Sequence, residues 1–206
     1  MASPYPPGGT FFDTLKRNFT AVPIDGAHGD AVATSEFLEA AESLTTLFDV
    51  LGSVTFTPVK SDMLGNIKKL RDRLLASPSN SLTLQDLVLN ELKEKKKTAT
   101  EGLLWLNRGL DFTAQSLRRN LTVPAEELSA SFRAAYADTL KPHHSFLVKP
   151  IFSAAMGACP YRADFYAKLG DDAARVDALL REWLDALERI VGILTAFLGR
   201  KDVNVK

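Results

Sequence analysis

The fold is decided by residues 172–199, DAARVDALLREWLDALERIVGILTAFLG. Val176, Leu179, Leu180, Trp183, Leu184, Leu187, Ile190, Val191, Leu194 and Leu198 recur at spacings of three and four. That period wraps one broad apolar stripe along a helix and leaves Arg, Asp and Glu opposite. A stripe so wide faces a core, which assigns Trp183 to packing. Working back toward the N-terminus, the same helical period predicts helices over 11–19, 35–51, 59–76, 83–96, 99–119, 125–139, 144–157 and 161–168. Pro, Gly and Ser breaks separate them. Ser35 is placed to cap the second, Thr83 to cap the fourth with Asp86 three residues on, and Pro124 marks the start of the sixth. Alternating stretches bounded by hairpin turns are absent, so the predicted class is all-α. Residues 1–10, rich in Pro and Gly, are expected to be a flexible tail, and 11–206 a single domain.

The 206 residues suffice for one hydrophobic core. Lys+Arg and Asp+Glu number 25 each, so no basic surplus exists to neutralise phosphates, which argues against a nucleic-acid binder. The balance also argues against strong electrostatic capture by anionic membranes, though not against contact through apolar side chains. No apolar run has the roughly 18 residues of a spanning helix, and the start carries no basic and then apolar leader. Cys159 is the only cysteine, which excludes an internal disulfide and a Cys-based zinc site. A reducing, cytoplasmic setting is expected.

Two helices carry residues that packing does not use up. Over 59–76, Val59, Met63, Ile67, Leu70 and Leu74 make the apolar stripe, and Asp62, Asn66, Lys69 and Arg73 fall within about 60° of arc beside it. One reading is a solvated flank with a weak Asp–Lys pair. The other is a recognition strip of acceptor, amide and ammonium, the set that holds hydroxyl and amide groups of a neutral ligand. Over 99–119, Leu103, Leu106, Leu110 and Leu117 face the core while Trp105, Gly109 and Phe112 form a neighbouring stripe. Trp105 is either a core residue or a platform, and Gly109 one turn on is expected to leave room against the ring. His143 and His144 follow Pro142, but with no second ligand set at i+3 or i+4 a metal is not expected. Neither strand nor G-x-S-x-G elbow exists for a Ser-His-Asp hydrolase. The 92–97 run LKEKKK is a solvated helix end.

The segments LGSVTFTPVKSDMLGNIKKL (51–70), ATEGLLWLNRGLDF (99–112) and LKPHHSFLVKPIFSAAMGACPYRADFY (140–166), in this order, resemble the glycolipid transfer protein family, most of all its fungal heterokaryon-incompatibility type. The resemblance runs from about residue 11 over nearly the whole chain. It implies a two-layer all-helical sandwich that carries one glycosphingolipid between membranes, without a cofactor and without catalysis. It implies that Asp62, Asn66, Lys69 and Trp105 bind the sugar, with Trp105 under the first ring. Asp62 and His144 would hold the ceramide amide N–H and acyl carbonyl. Phe112 and Phe152 would line a hydrophobic tunnel for the chains, and Phe146 with Lys149 would dock at the membrane. A buried Phe at a helix start is the other reading of Phe146. Expected ligands are glucosyl-, galactosyl- and lactosylceramide, expected contacts a transient membrane surface, and the expected state a monomer.

The family also has a ceramide-1-phosphate branch, in which cationic residues stand at the positions of Asn66 and Trp105; this chain keeps both, which favours a neutral headgroup. Asn107 stands where animal members have Lys, Phe146 where many have Trp, and KDVNVK at 201–206 lacks their tyrosine. A glycolipid sensor that signals to a protein partner, and a lipid hydrolase using Asp62 and His144, are the alternatives from other classes.

Overall fold

A computed structural model of the chain describes residues 5–203. Nine α-helices are found among them: α1 (Thr34–Thr45), α2 (Leu47–Leu51), α3 (Thr57–Ala76), α4 (Leu84–Lys93), α5 (Thr98–Thr122), α6 (Leu128–Asp138), α7 (Lys149–Gly157), α8 (Arg162–Leu169) and α9 (Ala173–Leu198). The central rod is α5, which packs against α3, α4, α6 and α9, while α1 lies on α3 and α8 against α9. The α9 stripe is buried as its period requires, except that Leu179 is only partly covered. Trp183 is in the core, edge-on to Phe19 at 5.6 Å between ring centroids.

Several boundaries differ from the predicted ones. The segment 11–19 is two short 3-10 turns, Phe11–Thr14 and Phe19–Ala21, joined through extended backbone at Leu15 and Asn18. At the start of the first, Asp13 Oδ2 accepts from both the N–H (2.8 Å) and the hydroxyl (2.9 Å) of Thr10, and at the start of the second Asn18 Oδ1 accepts from Thr20 N–H. The 35–51 segment breaks at Thr46, whose hydroxyl donates back to Ser43 O at 2.7 Å. Ser35 is not the cap of α1. Ala33 holds that position, and Thr34 N–H donates to Leu82 O, so the main chain before α4 satisfies the helix end. Thr83 does cap α4, accepting from Asp86 N–H at 3.1 Å.

Pro124 lies in a turn, and α6 begins only at Leu128. A minimal antiparallel ladder pairs β1 (Ile24–Asp25) with β2 (Ala31–Val32), strands too short to leave an alternating pattern. Of the expected tail, residues 1–4 lie outside the described residues. Thr10 is fully buried and bridges to Gly170.

Two devices hold α5 in place. Glu91 of α4, itself buried, accepts from Ala99 N–H at 2.9 Å and from both the N–H and the hydroxyl of Thr100 at 2.7 Å. A carboxylate therefore stands at the positive end of the helix dipole and satisfies two of its free amides. On the other side, Gly102 meets α3 so closely that a Cβ there would lie 3.2 Å from Lys69 Cβ and 3.3 Å from Asn66 O.

Candidate functional site

The α3 strip sits beside α5 at this close crossing. Asn66 is 3% exposed, and its amide is engaged at both ends: Nδ2 donates to Asp62 Oδ2 at 3.3 Å and Oδ1 accepts from Lys69 Nζ at 3.0 Å. The three side chains thus form one relay along successive turns, with the middle member fixed. Asp62 and Lys69 lie at the open surface. Even so, the protein mass around Asp62 raises its carboxyl above the ordinary 3.8, an effect that the Lys69 charge partly offsets. Arg73, the fourth residue of the predicted strip, turns away to a bidentate pair with Glu94 at 2.9 and 2.7 Å, which holds the Glu94 carboxyl down at about 2.

Trp105 is half-buried on the facing side of α5. Its indole lies nearly parallel to the His144 imidazole, 5.9 Å between centroids and 19° between planes, and Arg108 Cζ stands 4.8 Å from its centroid. Gly109 does not leave room at the ring. A Cβ there would make ordinary contact with Met63, 3.6 Å from Cγ, and the glycine that sets the spacing is Gly102.

His144 is not in a helix. It closes the turn after Leu140, whose carbonyl accepts from His144 N–H, and α7 starts five residues later with Pro150 in its first turn. Proline needs no amide partner there, so it marks the helix start that the 144–157 prediction placed too early. The His144 ring is packed by Trp105, Tyr136 and Phe152, the last at 4.5 Å between centroids. Burial, then the neighbouring His143, Lys149 and Arg108, lower its pKa, so the imidazole is neutral at pH 7. Tyr136 OH lies 3.2 Å from His144 Nδ1. With that hydroxyl donating, the imidazole proton stays on Nε2, which is left free to donate.

These groups surround one cavity of about 410 Å³, lined by Pro58, Asp62, Asn66, Lys69, Trp105, His144, Val148, Ile151 and Phe152. Four residues from two helices and one from a turn, all expected as ligand contacts, are therefore brought together. Phe152 is at the wall, and Phe112 lies behind it, edge-on at 6.1 Å and buried against Phe132 and Tyr136. Phe146 is 78% exposed and outside any helix, which removes the reading of a buried Phe at a helix start. Leu147 (68%) and Ile151 beside it are also exposed, as is Lys149. Sequence reasoning missed Tyr136, Gly102 and Arg108. The i, i+3 step from Trp105 to Arg108 could have flagged only the last.

The chemistry of the cavity suits a ligand with both hydrogen-bonding and flat apolar faces: an acceptor, an amide, an ammonium and an imidazole surround an aromatic plate, with an apolar ring at the wall. Among the described residues no helix is long and apolar enough to cross a membrane.

The sequence profile described as glycolipid transfer protein (GLTP) matches residues 32–171. A glycolipid transfer protein of Aureobasidium melanogenum is 68% identical over 200 residues, covering 97% of this chain and 98% of that protein. Among solved structures, the fungal glycolipid transfer protein HET-C2 superposes with a TM-score of 0.93 at 62% identity, over 95% of this chain and all of that one. The FAPP2 structure, described as selecting simple glycosphingolipids using the GLTP-fold, superposes with a TM-score of 0.82 at 30% identity, over 92% and 94%.

Proposed function

The chain belongs to the glycolipid transfer protein family, and from that premise we propose how its cavity selects and carries a lipid. The protein binds glycolipid and transfers it between membranes without a chemical step. One observation carries the site assignment: the Asp62–Asn66–Lys69 relay and the Trp105 plate line the same cavity. The first sugar lies on Trp105, whose indole covers the apolar C–H face of a pyranose. Lys69 and Asn66 supply donors and acceptors to its hydroxyls. Asp62 accepts from the ceramide amide N–H and a sugar hydroxyl, and His144 Nε2–H donates to the acyl carbonyl.

The chains pass Phe152 and then Phe112 into a tunnel between the helix layers. Each CH₂ removed from water contributes about 0.8 kcal/mol, so the chains supply affinity while the polar relay supplies choice. Among the described residues Lys69 is the single cation lining this cavity, and Asp62 repels an anion; both support a neutral headgroup over a phosphate. A simple glycosphingolipid, glucosyl- or galactosylceramide with lactosylceramide next, fits that chemistry and agrees with the described selectivity of FAPP2. We place the protein in the cytoplasm as a monomeric domain over 11–206 that touches membranes transiently through Phe146 and Lys149, joined by Leu147 and Ile151.

The test is transfer of galactosylceramide and ceramide-1-phosphate between vesicles by wild type, Trp105→Ala and Asp62→Asn. Wild type moves the first lipid and little of the second, and both variants lose most transfer while keeping their helical content. Trp105→Ala removes about 1–2 kcal/mol of ring contact, roughly five- to thirtyfold in affinity. Equal transfer of both lipids, or full activity in both folded variants, would overturn the reading.

A further inference from the structure

An aromatic plate beside a carboxylate is also the equipment of a site for quaternary ammonium groups, because a ring face attracts cations and a carboxylate neutralises them. Trp105 and Asp62 line the cavity together, so something has to separate a sugar from a choline-type cation. The charges inside the cavity contribute little to that choice. Asp62 and Lys69 are of opposite sign and linked through Asn66, and the His144 imidazole is neutral at pH 7.

The discriminating charge stands outside. Arg108 Cζ lies 4.8 Å from the centroid of the Trp105 ring, yet Arg108 is not among the residues lining the cavity, so its guanidinium meets the indole from behind. It makes no salt bridge among the described residues, although Asp111 and Asp138 line with it the cleft on the outer side. Asp111 accepts instead from Gln115 Nε2 at 2.8 Å. Burial lowers the Arg108 pKa, but a guanidinium keeps its proton at pH 7 all the same. A cation resting on a ring takes up the attraction that the π-system offers and repels a second cation laid on the other face. A neutral sugar keeps its apolar contact with the indole.

We infer that Arg108 sets headgroup specificity from behind the plate: by occupying the Trp105 ring it rejects lipids with a quaternary ammonium headgroup and leaves neutral sugars acceptable. The inference rests on the reading of Trp105 as the headgroup platform. Charges on opposite faces of one ring stand about 9–10 Å apart. At a protein surface, with salt screening part of the field, their repulsion costs the incoming cation roughly five- to tenfold in affinity. The carboxylates of Asp111 and Asp138 in the outer cleft trim that field further, which places the effect near fivefold.

The experiment uses two amphiphiles with the same chain, dodecyl glucoside and dodecyltrimethylammonium, below their micellar concentrations. Each competes with a fluorescent galactosylceramide bound to wild type, Arg108→Met, Arg108→Gln or Arg108→Lys, and thermal melts verify folding. The readout is the ratio of cation affinity to sugar affinity. Lost packing behind the plate weakens both amphiphiles and leaves that ratio in place, whereas lost charge moves it. The ratio rises about fivefold in Arg108→Met and Arg108→Gln and stays at the wild-type value in Arg108→Lys, which keeps the cation. With two neutral variants, misfolding of one leaves the other decisive. A ratio unmoved in the neutral variants, or raised equally in Arg108→Lys, overturns the role of Arg108 while the platform stands. Failure of wild type to bind the galactosylceramide would overturn the platform reading, and the inference with it.

Discussion

The Tyr136 hydroxyl stands 3.2 Å from Nδ1 of His144, where as a donor it keeps the ring proton on Nε2. Removing that hydroxyl frees the ring to exchange tautomers and so lowers the population carrying its proton on Nε2. Tyr136→Phe is expected to weaken glycosylceramide binding about threefold without loss of fold, since the phenyl ring retains its stack on Phe152. Titration calorimetry with a short-chain glycosylceramide checks this, and unchanged affinity would mean that His144 orients without Tyr136.

The crossing at Gly102 gives a second outcome. A methyl group there presses on Lys69 Cβ and the Asn66 carbonyl at 3.2–3.3 Å, so the relay must shift by a few tenths of an ångström. Gly102→Ala raises intrinsic helix stability by about 1 kcal/mol and yet lowers transfer several-fold. A melt and a transfer assay on the same protein separate the two effects; a variant both more stable and fully active would show that relay geometry is loosely specified.

Acid response follows from Asp62. Burial disfavours its charged form, so its pKa is above 3.8, and ligand binding falls as pH drops through that raised value and the carboxylate is lost as an acceptor. The Lys69 charge pulls the value down, so Lys69→Met moves the acid limb of the binding curve to higher pH as well as lowering affinity. The position of the limb, not its height, is the readout. A limb that stays in place would assign the acid loss to protonation of His144.

Glu91 supports α5 from outside the cavity. Glu91→Gln turns an NH₂ toward amides that need an acceptor, and we expect a loss of about 2 kcal/mol and a Tm lower by roughly 4–8 °C. Headgroup preference should be unchanged. A melt within one degree of wild type would mean that other groups take over the helix end.

Docking is tested at Phe146 and Leu147, both largely exposed. Phe146→Ala is expected to reduce partition to neutral vesicles by about 1–2 kcal/mol, slowing transfer without changing the preferred lipid. Salt should matter little, because net charge is zero and few ion pairs are involved. Partition equal to wild type would place the contact surface elsewhere.

What could be read from the chain depended on how local the cause was. Asp62, Asn66 and Lys69 share one helix face, so their spacing alone lined them up, and the α9 stripe similarly revealed the core. The burial of Asn66 could not be read, because it comes from α5 crossing at Gly102. Tyr136 and Glu91 escaped notice for the same reason: each acts on a segment eight or nine residues away through a geometry set by packing. The helix expected from 144 failed where the chain instead turns at Leu140 and waits for Pro150. That turn brings His144 onto Trp105, so the one misplaced helix end near the cavity is also the feature that completes it.

The 25 residues of α5 run unbroken for about 37 Å and carry Trp105 at the cavity, Asn107, Arg108 and Asp111 beyond it, and Phe112 behind Phe152. All of them keep their bearings through a common screw. Inserting or deleting one residue after Trp105 would turn everything downstream by about 100°, pointing Phe112 away from Phe152 and breaking the Arg118 link to Glu188 on α9. Point changes on this rod alter one contact at a time, whereas a change of length scrambles them all together. The helix therefore acts as a fixed reading frame, and new headgroup preferences are reachable by exchange of side chains along it, with additions to the chain confined to turns such as 142–148.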